Sequence, residues 1–145
     1  MSFEHNWKYK TLENLEKDIW KFDPDEATTL VKECNLLRKK PLKDFTTEDL
    51  RTMISQSIGL KFLIPLAMDK LRENILAEGL MYPGDLLSSV LESDINYWKS
   101  HKDEWAEIKT LYINNKIIFE EGNTHRQLRK SFERFENFLS PLHRF

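Results

Sequence analysis

The chain has 145 residues, 40% hydrophobic and 32% charged, with a formal net charge of -2 and an isoelectric point near 6.1. This balance is too apolar for a disordered chain and too charged for a membrane protein, and the length suits one domain burying roughly 70% of its unfolded surface. Overall charge gives no argument for nucleic-acid binding, the single Cys34 excludes an internal disulfide and fits a reducing compartment, and "MSFEHNWKYK" lacks the apolar run of a secretion signal.

Helical signals dominate from the N-terminus onward. A short helix is expected after Thr11, with Leu12, Leu15 and Ile19 on one face. "DPDE" then places Asp23 at a cap, Pro24 at the first helical position and Glu26 three residues after the cap. The helix it opens carries Ala27, Leu30, Val31, Cys34 and Leu37 as an apolar stripe. Arg38, Lys39 and Lys40 meet the negative end of its dipole, and Pro41 ends it by disfavouring helical geometry at Lys40. Thr46 is the next cap, with Phe45 and Leu50 at the spacing of a hydrophobic staple; Leu50, Met53, Ile54 and Ile58 follow, and Gly59 suits a left-handed stop.

Between residues 62 and 71 apolar residues cover most of a helix circumference, which predicts a central, buried helix. Its longest apolar run, residues 62–68, is far short of a bilayer span. Pro65 is harmless there only within the first turn, and Gly79 closes the unit. Tyr82-Pro83-Gly84-Asp85 is a strong turn: Pro83 pre-sets φ, Gly84 permits a positive φ, Asp85 caps the following helix, and Tyr82 covers the junction. That helix carries Leu86, Leu87, Val90 and Leu91 and docks on residues 62–71. A short turn from Ser93 or Asp94 holds Tyr97 and Trp98. A longer helix opened by Ser100 turns Trp105, Ile108, Tyr112 and Ile118 inward and stops at Gly122. After a capping-box spacing at Thr124 and Gln127, the last helix buries Leu128, Phe132, Phe135 and Leu139. The expected fold is all-α, a single domain of six to eight helices over residues 1–145.

Reactive constellations do not emerge from this pattern. The four histidines are scattered, no C-x-x-C or H-x3-H pair occurs, and no phosphate-binding glycine motif or nucleophile elbow is present. Cys34 lies on an apolar stripe and reads as a small hydrophobe. The adjacent carboxylates Asp23/Asp25 and Glu48/Asp49 are explained by helix-start electrostatics. Trp7, Tyr9, Trp20 and Phe22 lack clean periodicity and fit either an anchored N-terminal segment or an interface. No metal, cofactor or enzymatic activity is expected, and weight shifts to a protein that acts by binding.

The ordered stretches "LENLE", "CNLLRKKPLKDFTTEDLRTMISQSIGLKFLIPLAMDKL", "AEGLMYPGDLLSSVL" and "YWKSHKDEW" resemble a family of contact-dependent growth inhibition (CDI) immunity proteins. The resemblance spans residues 12–105, and its most specific parts are "KKPL" with "TTEDLR", "IGL" with "LIPLA", and "EGLMYPGDLL". The helical extension over residues 112–145 carries no assignable motif. The resemblance implies a cytoplasmic, non-enzymatic protein whose partner is the C-terminal toxin domain of a large secreted CDI protein. It implies protection by tight binding, often over the toxin's active site, and a toxin that is commonly a nuclease, here an RNase. Neither nucleic acid nor a membrane is an implied partner.

A nuclease cleft is basic because it must attract phosphates, so an acidic face would compete for it and speed association. Residues 13–26 hold six acids against two lysines. Asp18, Asp23, Asp25 and Glu26 are the expected contacts there, with Trp20 and Phe22 as apolar anchors. Asp103, Glu104 and Glu107 form a second acidic candidate. Pro41, Gly59, Pro65, Gly79, Tyr82, Pro83, Gly84 and Asp85 are expected to serve the scaffold. Two other readings stay open: a helical adaptor for another protein, and nucleic-acid binding through Arg126, Lys130 and Arg134 on one side of the last helix.

Overall fold

The computed structural model describes Phe3, residues 5–120 and residues 126–143, with residues 120 and 138–143 described by backbone alone. Over these residues the α-helices run in chain order as α1 (Leu12–Glu16), α2 (Thr29–Leu37), α3 (Thr47–Ser55), α4 (Leu60–Glu73), α5 (Asp85–Leu91), α6 (Ile95–Ser100), α7 (Lys102–Asn114), α8 (Lys116–Glu120) and α9 (Arg126–His143). Single 3-10 turns occupy Trp7–Tyr9 and Leu42–Asp44. The all-α expectation holds, and the extra segment arises where the predicted helix after Ser100 divides. Asn115 turns its side-chain amide back onto the Leu111 carbonyl at 2.8 Å, and α8 begins one residue later. Phe119 of α8 then points inward, while Ile118, expected inward, is 39% exposed.

Several helix starts follow local chemistry. Thr11 caps α1, accepting from the Asn14 N–H, and Asp94 caps α6 through the Asn96 N–H. Thr46 and Asp49 form a reciprocal capping box at α3, with Phe45 and Leu50 buried beside it as the staple spacing predicts. Other starts differ from expectation. The Asp23 carboxylate closes a tight turn on the Asp25 N–H at 2.9 Å instead of capping, and Thr28 caps α2 through the Val31 N–H. The register of α2 leaves Leu30 40% exposed, while Cys34 and Arg38 are buried. Lys17 ends α1 in a left-handed conformation, so Ile19 falls outside the helix and is 64% exposed. Gly59 is left-handed as predicted, but it opens α4 and does not close α3. Pro65 lies at the sixth position of α4, past the first turn, where it cannot donate to the Lys61 carbonyl. Ser100 ends α6 and does not open α7. The predicted stop at Gly122 and cap at Thr124 lie outside the described residues, as does the side chain of Leu139.

The core is centred on α4 and α5. Leu60, Phe62, Leu63, Ile64, Ala67, Met68 and Leu71 of α4 are buried. All seven residues of α5 are buried, because α3 covers one side, α9 another, and α4 also contacts it. Leu128, Ser131, Phe132 and Phe135 supply the inward face of α9. The Ser88 and Ser131 hydroxyls, 2.9 Å apart, join α5 to α9, and Ser131 also donates to Glu92 at 3.0 Å. Trp98 is 1% exposed and donates its indole N–H to Ser93 at 3.0 Å. Trp7 packs with Phe3 against Phe62, so the N-terminal aromatics anchor that segment to α4. Cys34 is buried, and burial, then the nearby Glu33 charge, raises its thiol pKa, as suits an unreactive core residue.

Candidate functional site

Arg38 organises the acidic N-terminal segment. It follows α2 and lies four residues beyond Cys34, on the same inward stripe as Val31 and Cys34, so its side chain is driven toward the interior. Its exposure is 1%. Nη1 donates to the Glu16 carboxylate and Nη2 to the Asp18 backbone carbonyl. The guanidinium carbon sits 4.9 Å from the centre of the Trp20 ring, and the Asp18 carboxylate is 3.9 Å from Nη2. Lys39 pairs with Glu13 at 2.7 Å, and the Glu13 N–H donates to the Arg38 carbonyl at 3.1 Å. The irregular segment after α1 is therefore wrapped around a buried cation. Sequence reasoning assigned Arg38 to the helix dipole. The signal for its actual role was a charged residue on an otherwise apolar i, i+3, i+7 stripe.

Beside this clamp lies a shallow, open depression of about 460 Å³ lined by Asp18, Ile19, Trp20, Lys21, Phe22 and Val31. Trp20 and Phe22 are half-buried and Ile19 is exposed. Asp18, Asp23, Asp25 and Glu26 are all exposed along the same segment. Asp23 is engaged in the Asp25 turn, while Asp18 stands at the edge of the Arg38 clamp. The segment thus brings carboxylates and partly covered aromatics together on one ordered strip. Such strips suit a cationic partner, since rigid aromatics supply contact area at low entropy cost and the charges steer encounter.

The second acidic candidate is differently occupied. Glu107 accepts both guanidinium arms of Arg72, one at 2.8 Å, and Arg72 also holds Asp69 at 2.6 Å. Glu104 accepts the Tyr97 hydroxyl, and burial followed by that carboxylate raises the Tyr97 pKa. Tyr97 stacks on His101 with ring centres 3.8 Å apart. Asp103 is exposed. A groove of about 740 Å³ opens here between Trp7, Tyr97 and His101, but Lys61, Lys99 and Lys102 line it together with Asp103 and Glu104. Those cations offset the acids, so this face lacks the net negative field of residues 13–26.

Arg72 holds the Glu107 carboxyl below its ordinary pKa, first through their hydrogen bonds, and Arg51 does the same to Glu48. A folded pKa below the unfolded value stabilises above the unfolded value, near 4.3 for glutamate, and the contribution is lost as pH falls through the folded value. Thermal melts between pH 7 and pH 3 are therefore expected to show wild type more stable than Glu48→Gln/Glu107→Gln at neutral pH, with the gap closing below about pH 4. A gap constant across that range would refute the linkage.

The loop between α4 and α5 is the third ordered surface. Tyr82 to Asp85 forms a turn in which the Asp85 N–H donates to the Tyr82 carbonyl at 3.0 Å, with Gly84 at φ 91° and ψ 3°. Pro83 and Gly84 take the positions their geometry predicts for a type II turn. Gly84 occupies the cap position, so Asp85 becomes the first helical residue and its side chain leans back over the preceding loop. It does not cap the helix. It accepts from the N–H groups of Gly79 (2.7 Å), Met81 (3.0 Å) and Tyr82 (3.4 Å), and is 3% exposed. Glu48 crosses from α3 to accept the Leu80 N–H at 2.9 Å, and Arg51 forks that carboxylate at 2.6 and 2.5 Å. Gly79 is required by close approach, since a Cβ there would stand 2.5 Å from Glu48 Oε1. Pro41, the remaining turn residue, leads into the Leu42–Asp44 turn three residues after Arg38 closes α2.

Arg126, Lys130 and Arg134 face outward on α9, opposite Leu128 and Phe132, beside the exposed acids Glu133 and Glu136. Among the described residues no group of three or more His, Cys, Asp or Glu side chains is placed to hold a metal ion, and no helix is long and apolar enough to cross a membrane. No curated protein and no solved structure matches the chain. A family model described as CDI immunity proteins matches residues 14–108, a stretch that takes in the Arg38 clamp, the capping box of α3 and the Asp85 loop. With the matched region covering most of the chain, the chain belongs to the CDI immunity proteins, with a role in immunity against a CDI toxin.

Proposed function

We propose that this protein neutralises the C-terminal toxin domain of its cognate CDI protein by stoichiometric binding in the cytoplasm, without chemistry of its own, and that the toxin is a nuclease, an RNase in particular. The contact is the acidic, aromatic strip of residues 17–27. The observation that supports this reading is the buried Arg38, which holds Trp20 and the Asp18 backbone in place while the carboxylates of Asp18, Asp25 and Glu26 stay in solvent. An RNase cleft carries the complementary charge, because it binds phosphates. An ordered strip also enters an interface with little further loss of entropy.

The test is co-purification with the cognate toxin domain and an RNase assay of that domain with and without this protein. Full nuclease activity in stoichiometric excess of this chain would refute neutralisation. For the surface itself, Asp25→Lys/Glu26→Lys combined with Asp18→Asn is expected to weaken toxin binding at least tenfold, mainly by slowing association, with helical content and melting temperature nearly unchanged. Asparagine is preferred at residue 18 because a lysine would set an ammonium beside the Arg38 guanidinium. Unaltered affinity would remove the strip from the interface.

A further inference from the structure

Residues 79–82 have all four backbone N–H groups turned inward onto two carboxylates, Asp85 and Glu48. Turning the amides inward turns the intervening side chains outward. Leu80 is 80% exposed and Met81 is 66% exposed, side by side at the loop tip. Arg51 fixes Glu48 and stands 3.9 Å from Asp85, so the carboxylates are themselves held. Burying the Asp85 charge costs desolvation, and a connector between two helices needs no such anchor. What the anchor achieves is a rigid loop that presents two large apolar side chains to water, a preorganised contact.

A relay of ion pairs links the loop to the acidic strip. Arg38 and Lys39 hold Glu16 and Glu13 on one side, and Lys40, next in the chain, pairs with Asp49 at 2.6 Å; Glu48, beside Asp49, holds the loop. We infer that Leu80 and Met81 insert into an apolar pocket of the cognate toxin domain as a second anchor of the same interface. This rests on the neutralisation reading above. Glu78, Glu48 and Asp85 set three carboxylates against the single Arg51 at this loop, and the net acidity, with Glu78 exposed, suits a pocket with a basic rim, as a phosphate-binding domain would offer.

The experiment compares wild type, Leu80→Ser/Met81→Ser and the acidic-strip variant for binding to the purified toxin domain, with the mass of each free protein measured by light scattering. The loop variant is expected to lose roughly tenfold or more in affinity, chiefly through faster dissociation, at unchanged melting temperature and unchanged mass. Equal affinity of loop variant and wild type, with the strip variant impaired, overturns the loop proposal and leaves neutralisation standing. A wild-type dimer that the loop variant converts to monomer at unchanged toxin affinity overturns it in favour of a second copy of this chain. Failure of wild type to bind the toxin overturns both readings.

Discussion

Asp85→Ala is expected to lower the unfolding free energy by about 3 kcal/mol, well beyond the roughly 1 kcal/mol of a lost helix cap. The carboxylate is buried and accepts three backbone N–H groups, each a charge-assisted bond. Removing it leaves the half-buried Gly79 N–H without its acceptor and lets the tip relax, while water can recover part of the loss at exposed Met81. Urea denaturation gives the stability change. Hydrogen exchange should show the amides of Gly79, Met81 and Tyr82 losing protection far more than amides of α3 or α4. Asp85→Asn keeps the volume and one acceptor oxygen, so it should fall between wild type and alanine. A loss of only about 1 kcal/mol with loop protection intact would return Asp85 to the role of a simple cap.

Arg38→Ala is expected to cost about 3 kcal/mol and to release residues 16–22 from α2. The guanidinium is buried, but its partner Glu16 keeps 32% side-chain exposure and can be rehydrated, so the cost stays at the low end for breaking a buried pair. Arg38→Met separates the two consequences. It refills the space beneath Trp20, so stability should fall by less, while the loss of both donors still frees the Asp18 carbonyl and Glu16. Both variants should therefore bind the toxin more weakly than wild type, and exchange at the amides of residues 18–22 should rise in both. Normal toxin affinity in Arg38→Met, alongside raised exchange, would show that order in this strip is irrelevant to binding.

The acidity of residues 13–26, the Thr46 capping box and the apolar wrap of α4 were legible because each is written in neighbouring residues. The turn at Pro83 and Gly84 was legible for the same reason. The roles of Arg38, Glu48 and Asp85 were not, because each reaches a partner that only tertiary packing supplies. Glu48 meets Leu80 across 32 positions and Arg38 meets Glu16 across 22. Asp85 was misread for a smaller reason: Gly84 took the cap, and a shift of one residue turned the carboxylate from the helix ahead to the loop behind. The exposure of Leu80 and Met81 follows from that reversal, so the loop tip could not be seen as a surface until its amides were accounted for.

The packing of α9 on α5 bears on where this protein can be cut. The family match stops at residue 108, yet Leu128, Phe132 and Phe135 lie well beyond it and close over a helix inside it. A Cβ on Gly84, in the "YPGD" turn itself, would stand 2.6 Å from a Leu128 methyl, so that turn and the C-terminal helix pack directly on each other. A fragment trimmed to the limits of sequence similarity would open the side of α5 to water. Where such proteins are exchanged or grafted between toxin systems, the unit to move is the matched region together with its own C-terminal helix, since Leu128, Phe132 and Phe135 are what cover α5 on that side.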